Sequence, residues 1–334
     1  MAESFSDIGR IEAIDQLYRL SAFNPVSGLS FTSDKGGSIV TASRMFLEGI
    51  DFNLVYFPLK HLGYKCVVGT VGELYAALAH PKLLNVVLGI SAKLDFPQIK
   101  ELWLGITVAA KEHGFEAVNL DLQPSNNGLF LSLSATGETS LLTQKRRMAA
   151  KSKDLICVSG SLGAAYLGLQ VMERGAKMFH ETGEQPDMTQ YKMLVGAYLR
   201  PELDASVVER LEDVEIYPSY GYFVTRGLSD ALKRLSRDSG LGAKVYADKI
   251  PFEGNSFQLG KELDMDPVSA AMNGGDDNRL LFVVPILHLE KFRREFQTFD
   301  IIGHLAQPDA GTVLVTPEGV EFPVKAQGWT ENDA

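Results

Sequence analysis

Two cysteines among 334 residues leave this chain without a disulfide framework. Cys66 and Cys157 each sit inside an apolar run (KCVVG and LICVSG), the setting of buried free thiols in a reducing compartment rather than of a bridge or a metal site. The six histidines are scattered without ligand spacing, so a histidine-based metal motif is not expected. No apolar run reaches about 18 residues, which argues against a membrane-spanning helix. The opening segment MAESFSDIGRIEAIDQL is acidic and lacks a long apolar stretch, so the chain reads as cytoplasmic, with no secretory leader. Positive charge is also scarce. Lys and Arg number 32 against 42 Asp and Glu, a net charge of −10, the wrong sign for a nucleic-acid or anionic-membrane partner.

What is present suits a two-domain globular protein, since 334 residues exceed one ordinary core. Residues 8–20 carry Ile11, Ile14, Leu17 and Tyr18 on one helical face. Residues 24–41 are rich in Gly and Ser and fit no single pattern. Residues 53–57 (NLVYF), 65–69 (KCVVG) and 84–92 read as strands. Ile99, Leu102, Trp103, Ile106 and Ala110 recur at helical spacing, and Gly114 ends that helix. Strands are expected near 116–121 and 128–134. Residues 143–153 (TQKRRMAAKSK), dense in Lys and Arg, mark the domain junction, so the domains are placed at 1–142 and 143–334.

The second half opens with DLICVSGSLGAAYLGLQVMERG, read as a strand, a turn with Gly160 and Gly163, and a helix. Such a turn either cradles a phosphate on the helix N-terminus or is only a turn; neither Rossmann nor P-loop spacing is present. Helices near 227–237, 258–271 and 288–297, an edge strand at 243–246, a strand at 280–284 and a hairpin near 312–325 follow. Alternating strands and helices in both halves indicate an α/β (α+β) architecture.

Five stretches in order carry a family resemblance: FLEGIDF (46–52), LGYKCVVGTVGELYAALAHP (62–81), RMAAKSKDLICVSGSLGAAYLGL (147–169), NGGDDNRLLFVVP (273–285) and KAQGW (325–329). Together they resemble the thiamine-monophosphate kinase family, with its EG-x-HF, LGYKA…SDI, VTG-x-LG, GGEDYEL and QGW elements. The resemblance implies the two-domain aminoimidazole ribonucleotide synthetase-like fold, with N-terminal sheets pairing into a barrel across a homodimer. It also implies ATP, magnesium and a small phosphate ligand, thiamine monophosphate. Phosphoryl transfer of this kind needs the triphosphate neutralised and the two substrates aligned, and magnesium takes about six oxygen ligands, several from carboxylates.

The frames persist while most of the acids are replaced. The family's TTD segment is Ala42-Ser43-Arg44, its SDI segment Gly72-Glu73-Leu74, its GGD segment Asn119-Leu120-Asp121 and its D-x-SDG segment Phe223-Val224-Thr225-Arg226-Gly227. The GDDAA segment falls either at Gly28-Leu29-Ser30 or at Ser33-Asp34-Lys35-Gly36-Gly37. Catalytic and metal roles carried over fall on Asp121 and Glu73, with Asp34 as a further catalytic candidate. Cofactor-side positions are Ser43, Arg44, Arg147, Thr225 and Arg226; substrate-side positions are Asp51, Asp276, Asp277 and Trp329. Structural alternatives stand beside these roles. Glu73 would open a helix and complement its dipole, Asp51 would pair with a lysine, and Asp276 and Asp277 would cap a turn before the 280 strand. Two acids turned into arginines place like charge where a divalent cation would sit, a cost of several kcal/mol even at an effective dielectric of about 20. Three functions follow: a kinase with relocated ligands, a kinase homologue of absent or strongly reduced activity whose arginines (Arg44, Arg147, Arg226) clamp an anion directly, or a fold kept as a dimerisation partner.

Overall fold

The computed structural model describes residues 16–23 and 36–327, and the chain divides into two units between Leu141 and Leu142. The first unit holds β1 (Gly36–Leu47), α1 (Leu59–Ala76), β2 (Ala79–Ser91), α2 (Phe96–Glu112), β3 (Ala117–Ser125) and β4 (Phe130–Ser140). Its sheet runs β1-β4-β2-β3, antiparallel except for the β2–β3 pair, which α2 joins as a βαβ crossover. Strand alternation sorts the two faces. Leu131, Leu133 and Ala135 of β4 are fully buried, whereas Ser132, Ser134 and Thr136 between them are only half-buried.

Residues 16–19 are helical, and Trp103 Nε1 donates to Leu17 O at 2.8 Å while Tyr18 Oη donates to Val118 O at 2.7 Å, tying this segment to the unit. The helix read between Asp95 and Gly114 is α2. A capping box closes its start: Asp95 Oδ1 accepts from Gln98 N and Gln98 Oε1 accepts from Asp95 N, both at 2.9 Å. Gly114 at φ +73° follows its end. Helices α1 and α2 approach backbone to backbone. A Cβ on Gly63 would lie 2.2 Å from Leu102 O, and one on Gly105 would lie 2.0 Å from Lys60 O.

Two expected strands are not strands. Residues 65–69 lie inside α1, and residues 53–57 form a turn after the Glu48–Phe52 bridge. Nearly all of α1 from Leu62 onward is buried, so it has no polar stripe, and its apolar run imitates an interior strand.

In the second unit, α3 (Leu141–Arg146) crosses the division. The chain continues with β5 (Leu155–Ser159), α4 (Ala164–Thr182), α5 (Lys192–Leu199), α6 (Val207–Asp213), β6 (Tyr220–Val224), α7 (Leu228–Ser239) and β7 (Gly242–Tyr246). Then come α8 (Ser256–Leu263), α9 (Pro267–Asn273), β8 (Arg279–Val284), α10 (Leu289–Glu295), β9 (Phe299–Ala306), β10 (Thr312–Val315) and β11 (Glu321–Pro323). The sheet order is β11-β10-β7-β9-β5-β8-β6, with β10–β7 parallel and the other pairs antiparallel. Strand β7 was expected at an edge but is interior, flanked by β10 and β9. The single helix expected over 258–271 is two, because Asp264 is left-handed (φ +53°) and Asp266 then caps a new helix that Pro267 opens. Strands β6 and β9 had no counterpart in the sequence reading. The core under α7 gathers Ile156, Val224, Leu228, Leu232, Leu281 and Val283. No helix among the described residues is long and apolar enough to cross a membrane.

Candidate functional site

Sheet register decides where the motif residues of the first unit point. Arg44 pairs with Leu133, which is aligned through Val86 with Leu120, and this row lies on the face that α1 covers. The Arg44 guanidinium lies 4.8 Å from the Phe46 ring centroid, the cation–π contact open to an arginine two residues along a strand. Ser43 belongs to the opposite face. Its Oγ lies 2.8 Å from Ser134 Oγ, and the same row continues through Asn85 to Asn119, whose Nδ2 donates to Asn85 Oδ1 at 3.2 Å. Asp121 is on that face too, in the row of Met45, Ser132 and Val87, and its Oδ2 accepts from Gln123 Nε2 at 3.1 Å.

Glu73 stands in the last turn of α1, not at the start of a helix, so its charge opposes the dipole instead of complementing it. Asp51 pairs with backbone and not with a lysine: its Oδ2 accepts from Leu47 N at 2.8 Å and closes the turn after β1. Asp34, the two alternatives for the GDDAA segment up to Lys35, and Trp329 lie outside the described residues.

In the second unit three motif segments converge. The first is the β5–α4 turn, where Gly163 caps α4 at φ +74°. The second is Thr225-Arg226-Gly227 ahead of α7; a Cβ on Gly227 would lie 2.4 Å from Met272 O, so only glycine fits there. The third is the loop 274–279, with Asp276 and Asn278 both left-handed (φ +64° and +54°). Asp276 N donates to Thr225 O at 2.8 Å, joining the second segment to the third. Asp277 joins the third to the first: Oδ2 accepts from Gly163 N at 2.9 Å and Oδ1 from Ala165 N at 3.3 Å. Asp277 therefore caps no turn of its own. It caps a helix that begins more than a hundred residues earlier, and the glycine turn read as a possible phosphate cradle already holds a carboxylate.

Burial pushes the Asp277 carboxyl up to about 7, against the two backbone donors and Arg279, which favour its charged form. Arg279 runs under the same turn, with Nε donating to Ser161 O at 3.3 Å and Nη1 to Glu202 O at 2.9 Å. Asn278 is fully buried; its Nδ2 donates to Asp276 O at 2.6 Å. Arg226 is exposed at the head of α7. In the first turn of α7, Asp230 pairs with Arg234 at 3.0 Å. Thr225 is half-buried beside it, and Phe223, where the family has an acid, is wholly buried in β6.

Arg147 donates from Nε to Pro218 O at 2.8 Å, and burial lowers its pKa while Tyr220 and Tyr222 oppose the shift. Those tyrosines stack at 6.4 Å and both bond Asp238, Tyr222 through Oδ2 at 2.9 Å and Tyr220 through its carbonyl at 3.0 Å. Arg147 was read in the sequence as a cofactor-side residue; its neighbours Tyr220, Tyr222 and Asp238 were missed. The tyrosines' only trace was the alternation Tyr220-Gly221-Tyr222, which marks one face of a strand.

The carboxylates carried over for magnesium do not converge among the described residues. Among the described residues no group of three or more His, Cys, Asp or Glu converges on a point where a cation could sit. Register puts Asp121 on the face opposite the one that α1, bearing Glu73, covers. Hard divalent cations require several oxygens on one centre, and the described carboxylates supply none such.

Residues 28–139 match the family described as AIR synthase related protein, N-terminal domain. The chain is 24% identical to a thiamine-monophosphate kinase of Aquifex aeolicus over 71% of its own length and 73% of that protein's. A solved structure described as AaThiL complexed with AMPPCP and TMP superposes with a TM-score of 0.71 at 19% identity, covering 95% of this chain and 96% of the other. The hydrogenase maturation protein HypE in complex with ATP superposes with a TM-score of 0.68 at 17% identity, covering 93% and 90%. Both likenesses show the two-sheet AIR synthase-like fold.

Proposed function

Because the chain belongs to the AIR synthase-like superfamily and is thiamine-monophosphate kinase-like within it, we propose that it is an ATP-site protein whose transfer of phosphate to thiamine monophosphate is absent or strongly reduced. The observation that carries this reading is the arginine at two positions where the family places magnesium ligands. Arg44 is turned toward the helix-covered face with Phe46, and Arg226 stands at the head of α7. Neither can hold a cation, and both are suited to anions, because a guanidinium offers a planar fork of donors to phosphate or carboxylate. Two relatives of the same fold carry an ATP analogue or ATP in their solved structures, one of them together with TMP, which supports a nucleotide as the ligand class. The deciding measurement is thiamine diphosphate formation from thiamine monophosphate, ATP and magnesium by the purified protein. No product above an enzyme-free control is expected. Magnesium-dependent turnover, even far below the ~1–100 s⁻¹ typical of protein kinases, sinks the reading.

The anion-clamp reading adds a second, separable expectation. ATP binds without magnesium, measured by calorimetry in EDTA, and Arg226→Ala weakens it about tenfold, the ~1.4 kcal/mol of one charged hydrogen bond. Binding that appears only with magnesium refutes the clamp. A homodimer completes the proposal: the Ser43–Ser134–Asn85–Asn119 face of the first sheet would be covered by a second copy. Sedimentation at micromolar concentration checks this, and a monomer there rejects it.

A further inference from the structure

The head of α4 has what usually attracts a phosphate: a glycine turn, free-running N–H groups and a helix of 19 residues behind them. In this chain those groups are spoken for. Gly163 N and Ala165 N donate to the two oxygens of Asp277, a residue 3% exposed. The same loop reaches the head of α7 through Asp276 N on Thr225 O. Gly227 packs on the end of α9, where an added Cβ would lie 2.4 Å from Met272 O. One carboxylate thus sits where three otherwise separate segments meet, on a loop whose two flanking residues are held left-handed.

We propose that Asp277 is a built-in anion that closes the α4 head to phosphate and latches the β5–α4 turn, the 225–227 loop and the 274–279 loop into one platform, leaving the Arg226 side as the place for an anionic ligand. The latch is proton-sensitive, since only the charged carboxylate offers both oxygens as full acceptors to the two N–H groups. The charged groups around it are Arg279 and Asp276 on its own loop; the first turn of α4 brings no acid. Burial lowers the Arg279 pKa, while the charges of Asp277, Glu202 and Glu253 oppose that shift. Asp277 is a positioning residue in this account. The assignment of the ligand to Arg226 rests on the anion-binding reading above, whereas the latch itself does not.

The test follows the amide resonances of Gly163 and Ala165 in the full chain, with inorganic phosphate as the probe. In the wild type both amides are expected to titrate together with a midpoint near 7 and to ignore phosphate. Asp277→Asn is expected to abolish the titration. In Asp277→Ala, with the head of α4 opened, phosphate is expected to shift both amides. Flat wild-type amides between about pH 5 and 9 overturn the proposal, as does a titration that survives in Asp277→Asn. Phosphate shifting the wild-type amides as strongly as those of Asp277→Ala overturns the closed head. Should Asp277→Ala not fold, the wild-type titration and its loss in Asp277→Asn still decide. Nucleotide does not enter the experiment, so a protein that fails to bind ATP but shows the titration loses only the anion-binding reading.

Discussion

In the first unit the motif residues are dispersed by strand alternation; in the second they are gathered by loops. Arg44 and Asp121 are on neighbouring rows of one sheet, yet they face opposite sides of it, because successive residues of a strand alternate. The arginine is drawn onto an aromatic on the helix-covered side, and the aspartate stays on the open side with Gln123. In the second unit Gly163, Thr225, Asp276 and Asp277 come from segments far apart in sequence and are joined by direct hydrogen bonds. A carboxylate pointing off a sheet can find its way to a metal only if partners share its face. A carboxylate on a loop finds backbone donors, and at Asp277 it has found a helix.

The comparison is broken most directly by placing acids at the two arginines. Arg44→Asp would bury a carboxylate over Phe46 against α1, with an expected loss on the order of 3 kcal/mol in urea unfolding. The double reversal Arg44→Asp with Arg226→Asp is expected to yield no magnesium-dependent thiamine diphosphate. If it does, the contrast fails.

Next in size is the pH dependence of stability. The folded Asp277 carboxyl is raised to about 7 from its ordinary 3.8, so the fold holds this proton more tightly than the unfolded chain. Its stabilising contribution is full below about 3.8, declines as pH rises, and is gone above about 7. The wild type should therefore lose a few kcal/mol between acidic and mildly alkaline pH, and Asp277→Asn should show a smaller slope in urea midpoint against pH. Equal slopes would mean that the two backbone donors and Arg279 outweigh burial.

Tyr222→Phe removes the 2.9 Å bond to Asp238 and should cost about 1 kcal/mol, sharpening the view that the Arg147–tyrosine group is a rigid edge to the second unit. Arg226→Ala is the smallest in stability, within about 0.5 kcal/mol because the side chain is exposed, while its effect on ATP binding is the tenfold loss given above. A large unfolding penalty at Arg226 would show it to be structural.

Periodicity made much of the fold legible. The five-residue stripe from Ile99 to Ala110, the alternating FLSLS of β4 and the strand–turn–helix after Asp154 all stand where their patterns put them, since each has one buried and one wetter face. Helix α1 was hidden because burial on nearly all sides erases the pattern. Strand β6 was hidden because its Tyr-Gly-Tyr start carries no apolar run.

What only tertiary structure decided is which of those residues meet. By itself the sequence determined the α/β class and a thiamine-monophosphate kinase-like order of motifs, because local pattern and residue identity are properties of short segments. It left open the separation of Arg44 from Asp121, which depends on pairing register across four strands. It left open as well the seat of Asp277, read as a turn cap or a substrate contact. That residue lies instead on α4, because a buried carboxylate goes to the nearest unsatisfied N–H groups in space, and those belong to a helix 112 residues away in the chain.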